Sequence, residues 1–256
     1  MSNIYEPVIG FEIHAELKTK SKVFCGCSND PSSPENTNCC PICLGLPGAL
    51  PVLNKEAADL AVKASLACNC HVSSPALFER KNYFYPDLPK NYQISQKEAP
   101  FGLNGYFDFE VNGEIKRVSI VDMHLEEDAG KLVHPPEKNA NYSLADYNRS
   151  SAALLEIVTG PDMRSIDEAL SYCAAMRQTL KYLGVCEAKM ELGQIRFEAN
   201  ISVRKKGTDV LNTRIEIKNL NSFKTVERAM EYEIERQIEA YETGEKLYQE
   251  TRLFDE

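Results

Sequence analysis

The chain has 256 residues, of which 43% are hydrophobic and 26% charged, and this composition is typical of a folded protein with a substantial core, in one large domain or two small ones. Its formal net charge of -9 gives the surface as a whole no indication of affinity for a polyphosphate backbone, so a nucleic-acid partner would need contributions from elsewhere. No window approaches the roughly 18 uninterrupted apolar residues of a membrane span and no secretory pattern opens the sequence, so we expect a cytoplasmic protein without a membrane partner.

The first predicted element is a strand with the sequence PVIGFEIHAEL, in which apolar and polar residues alternate. Phe11 and Ile13 point to one face, whereas Glu12 and His14 point to the other. This pattern is typical of a half-buried strand, and its simplest interpretation is that the polar face is solvated.

The cysteine pattern that follows indicates a metal site. Nine cysteines without a secretory signal favour metal ligation over disulfide bonds. Two close pairs, Cys25-x-Cys27 and Cys40-x-x-Cys43, lie within residues 24–45. Four thiolates with no open position predict a structural zinc knuckle that stabilises the fold and takes no part in catalysis. Cys39 stands beside Cys40 and is the alternative ligand at that corner.

A helix and a hairpin are predicted next. The helix covers residues 54–68 and begins at Asn54, a good N-cap. The segment GYFDFEVNGEIKRVSIVDMHLEED predicts a hairpin, because the pair Asn112 and Gly113 suits a two-residue type I′ turn.

Three adjacent acids, Glu126, Glu127 and Asp128, end this hairpin. Because adjacent carboxylates repel each other, such a run favours either a solvated turn or a bound cation. In a regular strand Glu126 and Glu127 point to opposite faces, unless a bulge or the end of the strand turns both the same way.

A fourth acid, Glu156, stands alone within the apolar run SAALLEIV. A carboxylate buried in such a strand costs several kcal/mol unless it is paired or bound to a metal, so Glu156 also indicates a cation. A capping box at Ser165 and Glu168 then begins a helix predicted over residues 165–183.

The last predicted elements are two alternating strands, QIRFEANISVR and TRIEIKN, and a helix over residues 224–243. Arg196 and Glu198 belong to the polar face of the first strand, and Glu216 and Lys218 to that of the second. The sequence therefore predicts an α+β fold, in which helices cover the apolar face of an antiparallel twisted sheet and the polar face stays open and concave.

The polar faces bring together a candidate site composed of Glu12, His14, Glu127, Glu156 and Glu198. This oxygen-rich set suits Mg²⁺ or Mn²⁺ better than zinc, and such ions polarise phosphate oxygens for transfer. The sequence contains no GxxxxGK[ST] motif, which excludes a P-loop enzyme.

Several segments resemble a known family, the B subunits of the bacterial glutamyl/aspartyl-tRNA amidotransferases. The resemblance covers nearly the whole chain and is carried by VIGFEIHAELKTKSKVFCGCS, CPICLGLPGALPVLN, RKNYFYPDLPKNYQISQ, HLEEDAGK, DYNR, LLEIV, KYLGV, TRIEIKNLNSF and YEIERQIE.

This resemblance implies a cradle-shaped domain that uses ATP and Mg²⁺ to phosphorylate the side-chain carboxylate of Glu or Asp misacylated on tRNA. It also implies two partners, an amidase (the A subunit of such enzymes) that supplies ammonia and a small protein (the C subunit) that bridges the two. The substrates it implies are Glu-tRNA(Gln) and Asp-tRNA(Asn), and a structural Zn²⁺ completes the expected ligands.

Carried over to this chain, the catalytic and metal-binding positions of the family fall on Glu12, His14, Glu126, Glu127, Glu156 and Glu198. Glu198 stands where the family usually has aspartate. The cysteine positions of the family fall on Cys25, Cys27, Cys40 and Cys43. The cations that we expect near phosphate or the substrate carboxylate are Lys81, Lys90, Arg149, Arg196 and Lys218, although residues of this kind are more often ordinary surface cations.

Family members continue with C-terminal tRNA-binding domains, so we expect residues 1–256 to form a single catalytic domain that contains the knuckle and lacks those domains. Two alternatives remain open at this stage. One is a free-standing carboxylate kinase or amide-forming enzyme that acts on a small molecule or peptide. The other is a non-catalytic, zinc-stapled assembly subunit.

Overall fold

A computed structural model describes residues 4–137 and 141–255 of the chain. The described residues form twelve β-strands, which in chain order are Tyr5–Glu16 (β1), His71–Val72 (β2), Glu79–Asn82 (β3), Tyr92–Ser95 (β4), Gly102–Val111 (β5), Glu114–Glu127 (β6), Lys131–Val133 (β7), Leu144–Asp146 (β8), Ala153–Thr159 (β9), Ile195–Lys205 (β10), Ile215–Lys218 (β11) and Glu250–Leu253 (β12). They also form three α-helices, Lys55–Ala67 (α1), Ile166–Tyr182 (α2) and Phe223–Thr243 (α3).

Eight of the strands make one mixed sheet in the order β12-β11-β10-β1-β9-β6-β5-β2. All neighbouring pairs are antiparallel except β11 and β12, which run parallel. Two small hairpins, β3-β4 and β7-β8, lie outside this sheet. The expected α+β architecture with a large, mostly antiparallel sheet is therefore confirmed.

The helix boundaries agree with the capping signals in the sequence. The Asn54 side chain accepts hydrogen bonds at the start of α1, and the Ser165 side chain accepts one from the Glu168 amide at the start of α2. Ser222 caps α3, which ends at Gly244 with a positive φ of 77° that glycine adopts without strain. These short-range hydrogen bonds satisfy orphan backbone groups at the helix ends, and the predicted bounds are right to within a residue or two.

The hairpin between β5 and β6 turns at Asn112 and Gly113, as predicted, with φ values of 52° and 83°. Both angles lie in the left-handed region that a type I′ turn requires, and Asn and Gly tolerate that region best. Further along β6 the register with β9 shifts between Ile120 and Asp122, which is a bulge that precedes the row of acids.

The apolar side of the sheet packs against the helices. Tyr172 of α2 is fully buried, and its ring lies 6.2 Å from that of Phe11, 5.9 Å from Phe107 and 5.6 Å from Phe109. Helix α3 packs on β10, where Gln237 donates a hydrogen bond to the Ile201 carbonyl. Burying one large side chain of this kind contributes roughly 1.5–3 kcal/mol, so helix packing stabilises the sheet through its apolar side. The polar side is not covered by these helices.

None of the helices in the described part of the chain has both the length and the apolar composition that a membrane crossing requires.

Candidate active site

The central strand β1 lies between β9 and β10, and its register aligns the polar side chains of all three. His14 is opposite Glu156 on β9 and opposite Arg196 on β10, while Glu12 is opposite Glu198. Register partners share one face of a sheet, so residues that are far apart in the chain converge here. The predicted convergence of Glu12, His14, Glu156 and Glu198 on one face is observed.

The first cluster is formed by His14, Glu126 and Glu156. The Nε2 atom of His14 lies 3.9 Å from Glu126 Oε1 and 3.4 Å from Glu156 Oε2. One possible ligand atom from each residue lies within 4.8 Å of those of the other two. One imidazole nitrogen and two carboxylates form a compact donor set for a hard divalent cation.

The second cluster consists of Glu12, Glu198 and Glu216, again with ligand atoms within 4.8 Å of one another. Asn200 donates a hydrogen bond of 3.2 Å to Glu12, and the Lys218 ammonium lies 2.7 Å from Glu198 and 3.3 Å from Glu216. Three carboxylates with one ammonium retain a net negative charge, so this cluster also suits a cation.

His14 lies between the two clusters. Its Nε2 faces the first cluster, and its Nδ1 lies 3.8 Å from Glu198 Oε1 in the second. Nδ1 is buried and has no hydrogen-bond partner among the described residues. A buried polar atom without a partner is costly, and a ligand beside it would remove that cost.

The pKa values of the clustered acids are shifted in opposite directions by burial, neighbouring carboxylates and the histidines. Burial, and then repulsion from Glu156, raises the pKa of Glu126, while burial together with Glu156 and Glu216 raises the pKa of Glu12. Burial opposes ionisation of Glu156 as well, but hydrogen bonds from His124 and His14 outweigh it and lower the pKa of Glu156. Burial and neighbouring carboxylates thus disfavour the ionised forms of Glu126 and Glu12, and a cation bound beside them would offset that effect.

His124 orients the carboxylate that both histidines share. Its Nδ1 lies 2.7 Å from Asp122 Oδ1 and its Nε2 lies 3.0 Å from Glu156 Oε2. Burial lowers the pKa of His124, but these two hydrogen bonds outweigh burial and raise the pKa to about 10. The raised pKa favours the protonated form of His124, which donates to Glu156 through Nε2.

Glu127 is not brought into either cluster. Its carboxylate forms an ion pair with Lys90 and accepts hydrogen bonds of 2.8 Å from the Ile94 amide and 2.5 Å from the Ser151 hydroxyl. The neighbouring Glu126 instead joins His14 and Glu156, so the adjacent acids serve different partners. Coordination by Glu127 stays a prediction that requires its carboxylate to leave the Lys90 ammonium.

The other predicted cations take different positions. Arg196 lies 3.3 Å from Asp128, and Arg149 lies 3.6 Å from the same carboxylate. Asp128 is buried; burial raises its pKa, but the two guanidinium groups and the hydrogen bond from the Ala129 amide outweigh burial and lower it. Lys218 reaches the second cluster directly, as noted above. Lys81 is exposed on the β3-β4 hairpin.

A cavity of about 620 Å³ opens beside the first cluster. His124 and Glu156 line it, and the β3-β4 hairpin and the segment after it contribute three basic residues and two acids, namely Arg80, Lys81, Lys97, Glu79 and Glu98. Basic side chains beside a cluster of metal-ligand type can contact a polyphosphate, although the two acids reduce the positive charge there.

The four cysteines Cys25, Cys27, Cys40 and Cys43 come together, and their sulfur atoms lie within 4.8 Å of one another. Cys39 is not part of this group, so Cys40 takes the corner that the sequence left open. A hydrogen bond from the Cys25 thiol, working against burial, lowers the pKa of Cys43 to about 4. All nine cysteines are free thiols, and this group of four is consistent with a structural zinc site.

Sequence reasoning missed two residues of the site, Glu216 and His124. Alternation with Ile215 and Ile217 placed Glu216 on the polar face, as it placed Glu198, but Glu216 was not assigned to the site. His124 is two residues before Glu126 and therefore on the same face of β6, and this spacing could have identified it as well.

Residues 7–256 match the family described as the GatB/GatE catalytic domain, and the chain belongs to that family. It is 53% identical over 253 residues to a protein of Carboxydothermus hydrogenoformans, named as the B subunit of an aspartyl/glutamyl-tRNA(Asn/Gln) amidotransferase, in a match over 98% of this chain and 53% of that protein. A protein of the same name from Geotalea uraniireducens is 54% identical over 252 residues, with the same two shares. The chain thus spans about half the length of the curated relatives it matches.

Proposed function

We propose that this chain is the carboxylate-activating part of a glutamyl/aspartyl-tRNA amidotransferase. With ATP and Mg²⁺ it phosphorylates the side-chain carboxylate of Glu on tRNA(Gln) or of Asp on tRNA(Asn), and ammonia from a partner amidase then forms the amide. The observation that carries the proposal is the pair of acid clusters that His14 joins on one face of the sheet.

The chemistry explains why ATP is needed. A carboxylate does not react with ammonia to give an amide, because its oxygen is a poor leaving group. Transfer of the γ-phosphoryl group onto the side-chain carboxylate gives an acyl phosphate. Attack by ammonia then forms the C–N bond, the C–O bond to phosphate breaks, and phosphate departs. Two anions must approach each other in the first step, so the site has to neutralise negative charge.

The residues that would hold magnesium are those of the two clusters. His14, Glu126 and Glu156 offer one set of ligands, and Glu12, Glu198 and Glu216 offer a second. Bound magnesium would supply positive charge against the phosphate oxygens. Glu198 reaches one methylene farther than the aspartate that the resemblance leads us to expect, and the acids of the second cluster meet nevertheless.

The cavity beside the first cluster supports a location for the ATP phosphates. The lining of this space of about 620 Å³ contains Glu156 and the basic residues Arg80, Lys81 and Lys97, together with the acids Glu79 and Glu98. Phosphates placed there would be near both cationic side chains and magnesium ligands. Arg196 pairs with Asp128 and Lys218 with Glu198, and we propose that these two cations orient the acidic side chains.

The assembly follows from the same proposal. The names of the relatives describe one component of a larger enzyme. We therefore propose that the chain acts in the cytoplasm with the amidase and with the small bridging protein of such enzymes, and that the cysteine knuckle holds structural zinc. The polar face of the sheet would be the concave side of a cradle that receives the aminoacyl end of the tRNA.

The test is a pair of glutamate-to-glutamine variants in the complex reconstituted with the amidase. Glu126→Gln removes a ligand of the first cluster, and Glu110→Gln, on an exposed position of β5, is the matched control. We expect Glu126→Gln to lower ATP turnover that depends on misacylated tRNA by about 100-fold or more, the equivalent of about 3 kcal/mol. Equal turnover by the two variants would show that this cluster does not act on ATP.

A further inference from the structure

Lys22 is a fully buried lysine that lies against the cysteine knuckle. Its side chain has no exposed surface, and it is among the largest completely buried side chains of the described residues. Its ammonium contacts two groups, the Cys43 sulfur at 3.6 Å and the Tyr147 carbonyl oxygen at 3.3 Å. Among the described residues it forms no ion pair with a carboxylate.

A buried ammonium in this position requires a negative charge. Removing an unpaired ammonium from water costs several kcal/mol, and a carbonyl and a neutral thiol do not compensate for that cost. The charge that this neighbourhood can provide is that of the thiolates. Four cysteinates around Zn²⁺ carry a net charge of about -2, which a single buried ammonium would partly neutralise.

The backbone of Lys22 touches the other half of the knuckle. Its N–H donates a hydrogen bond of 3.0 Å to the Cys27 carbonyl, so the main chain of Lys22 holds the first cysteine pair while its ammonium meets the second. The adjacent residue continues the connection, since the Val23 amide donates to the Ser151 carbonyl at 3.0 Å. Lys22 therefore bridges both cysteine pairs and the loop that contains Tyr147 and Ser151.

We infer that Lys22 is the counter-cation of the cysteine knuckle, a positioning residue that stabilises the zinc-bound thiolates by donating an N–H···S hydrogen bond to Cys43. The inference rests on the proposed structural zinc. It also explains how the knuckle connects to the candidate active site, because the Ser151 hydroxyl donates to Glu127 and the Tyr147 carbonyl accepts from Lys22. Zinc binding would thus fix the loop behind Glu127 as well as the knuckle itself.

The test compares zinc affinity in the full chain by competition with a chromophoric chelator. Lys22→Met removes the charge and keeps most of the apolar stem, and Lys20→Met, at an exposed lysine two residues away, is the control. Partners outside the ligand shell typically affect metal affinity by roughly 10–100-fold, and we expect Lys22→Met to weaken zinc binding within that range. Lys20→Met should bind zinc like the unmodified chain.

The outcomes separate this inference from the zinc proposal. If the unmodified chain binds zinc and Lys22→Met binds it equally well, the role of Lys22 is refuted and the zinc site stands. If the unmodified chain binds no zinc, both are refuted. Should Lys22→Met fail to fold, reductive methylation of the unmodified chain replaces the comparison. Lys22 should then react only after zinc is chelated, and a rate equal to that of Lys20 with zinc bound would overturn the inference.

Discussion

The buried ion pair between Lys90 and Glu127 makes a contribution to the free energy of unfolding that can be measured. Their side chains are only 4% and 2% exposed. In Lys90→Met the Glu127 carboxylate would keep two neutral donors, the Ile94 amide and the Ser151 hydroxyl, and would lose its only cationic partner among the described residues. The variant therefore leaves a buried charge that is hydrogen-bonded but not neutralised.

The expected cost follows from this geometry. Removing one partner of a buried ion pair typically costs 3–5 kcal/mol, and the two remaining hydrogen bonds place Lys90→Met at the lower end, about 3 kcal/mol. For a chain of this length each kcal/mol corresponds to roughly 2–4 °C, so the melting temperature should fall by roughly 6–12 °C.

The assay is a double-mutant cycle measured by urea unfolding, with Lys90→Met, Glu127→Gln and the combined variant. Replacing both members of a buried pair by neutral side chains is often nearly neutral, so we expect the double variant to lie within about 1 kcal/mol of the unmodified chain. If Lys90→Met cost less than about 1 kcal/mol, or if the two single effects simply added, the pair would not be the buried, mutually dependent unit described above.

Four further predictions concern the clusters and the knuckle. Because the pKa of His124 is raised to about 10 from its ordinary value of 6.5, its contribution to the stability of the metal-free chain is complete below pH 6.5 and disappears as the pH rises through 10. Urea unfolding should show this as a decline of at most about 1.4 kcal/mol per pH unit, and His124→Gln should lack it; an unchanged decline would contradict the assignment. Glu216→Gln should weaken one of two Mn²⁺ ions by about tenfold in electron paramagnetic resonance titrations and spare the other, whereas equal effects on both ions would argue against two separate clusters. Cys43→Ser should lower the melting temperature of the zinc-loaded chain by roughly 8–16 °C, the equivalent of about 4 kcal/mol of zinc binding, and elemental analysis that finds no zinc in anaerobically purified protein would refute this. Glu126→Gln should leave the metal-free chain at least as stable, since it removes a carboxylate whose pKa burial and Glu156 raise, but it should abolish the rise in melting temperature on adding Mg²⁺; a variant that Mg²⁺ still stabilises would show that Glu126 is not a ligand.

The faces of the strands could be predicted from the sequence, but the register between strands could not. Alternation along β1 and β10 is enough to place Glu12 and His14 on the same side as each other, and Glu198 on the polar side of its own strand. The sequence around either residue does not predict that Glu12 lies opposite Glu198, because that pairing joins strands that are far apart in the chain. It depends on long-range pairing and packing, which local sequence patterns do not encode.

Glu127 shows the limit of periodicity at the end of a strand. Alternation separates it from Glu126 but does not say which of the two joins His14. Glu127 is held by Lys90, which lies just before strand β4, and by the amide of Ile94 on β4. Sequence spacing carries no information about these contacts. Capping residues such as Ser165 were predictable for the opposite reason, because their partners lie within one turn of the helix.

The distribution of charge explains why the fold tolerates these clusters. The acids that lack compensation, Glu12 and Glu126, lie on the polar face, where a bound cation can reach them. The acids behind that face are compensated by the protein itself, Asp128 by Arg196 and Glu127 by Lys90. Glu12 and Glu126 are thus less well compensated than Asp128 and Glu127, whose ion pairs are present whether or not a ligand is bound. The clustered acids destabilise the folded chain locally, whereas the ion pairs around them neutralise the rest of the framework. This arrangement is expected of residues that bind a cation.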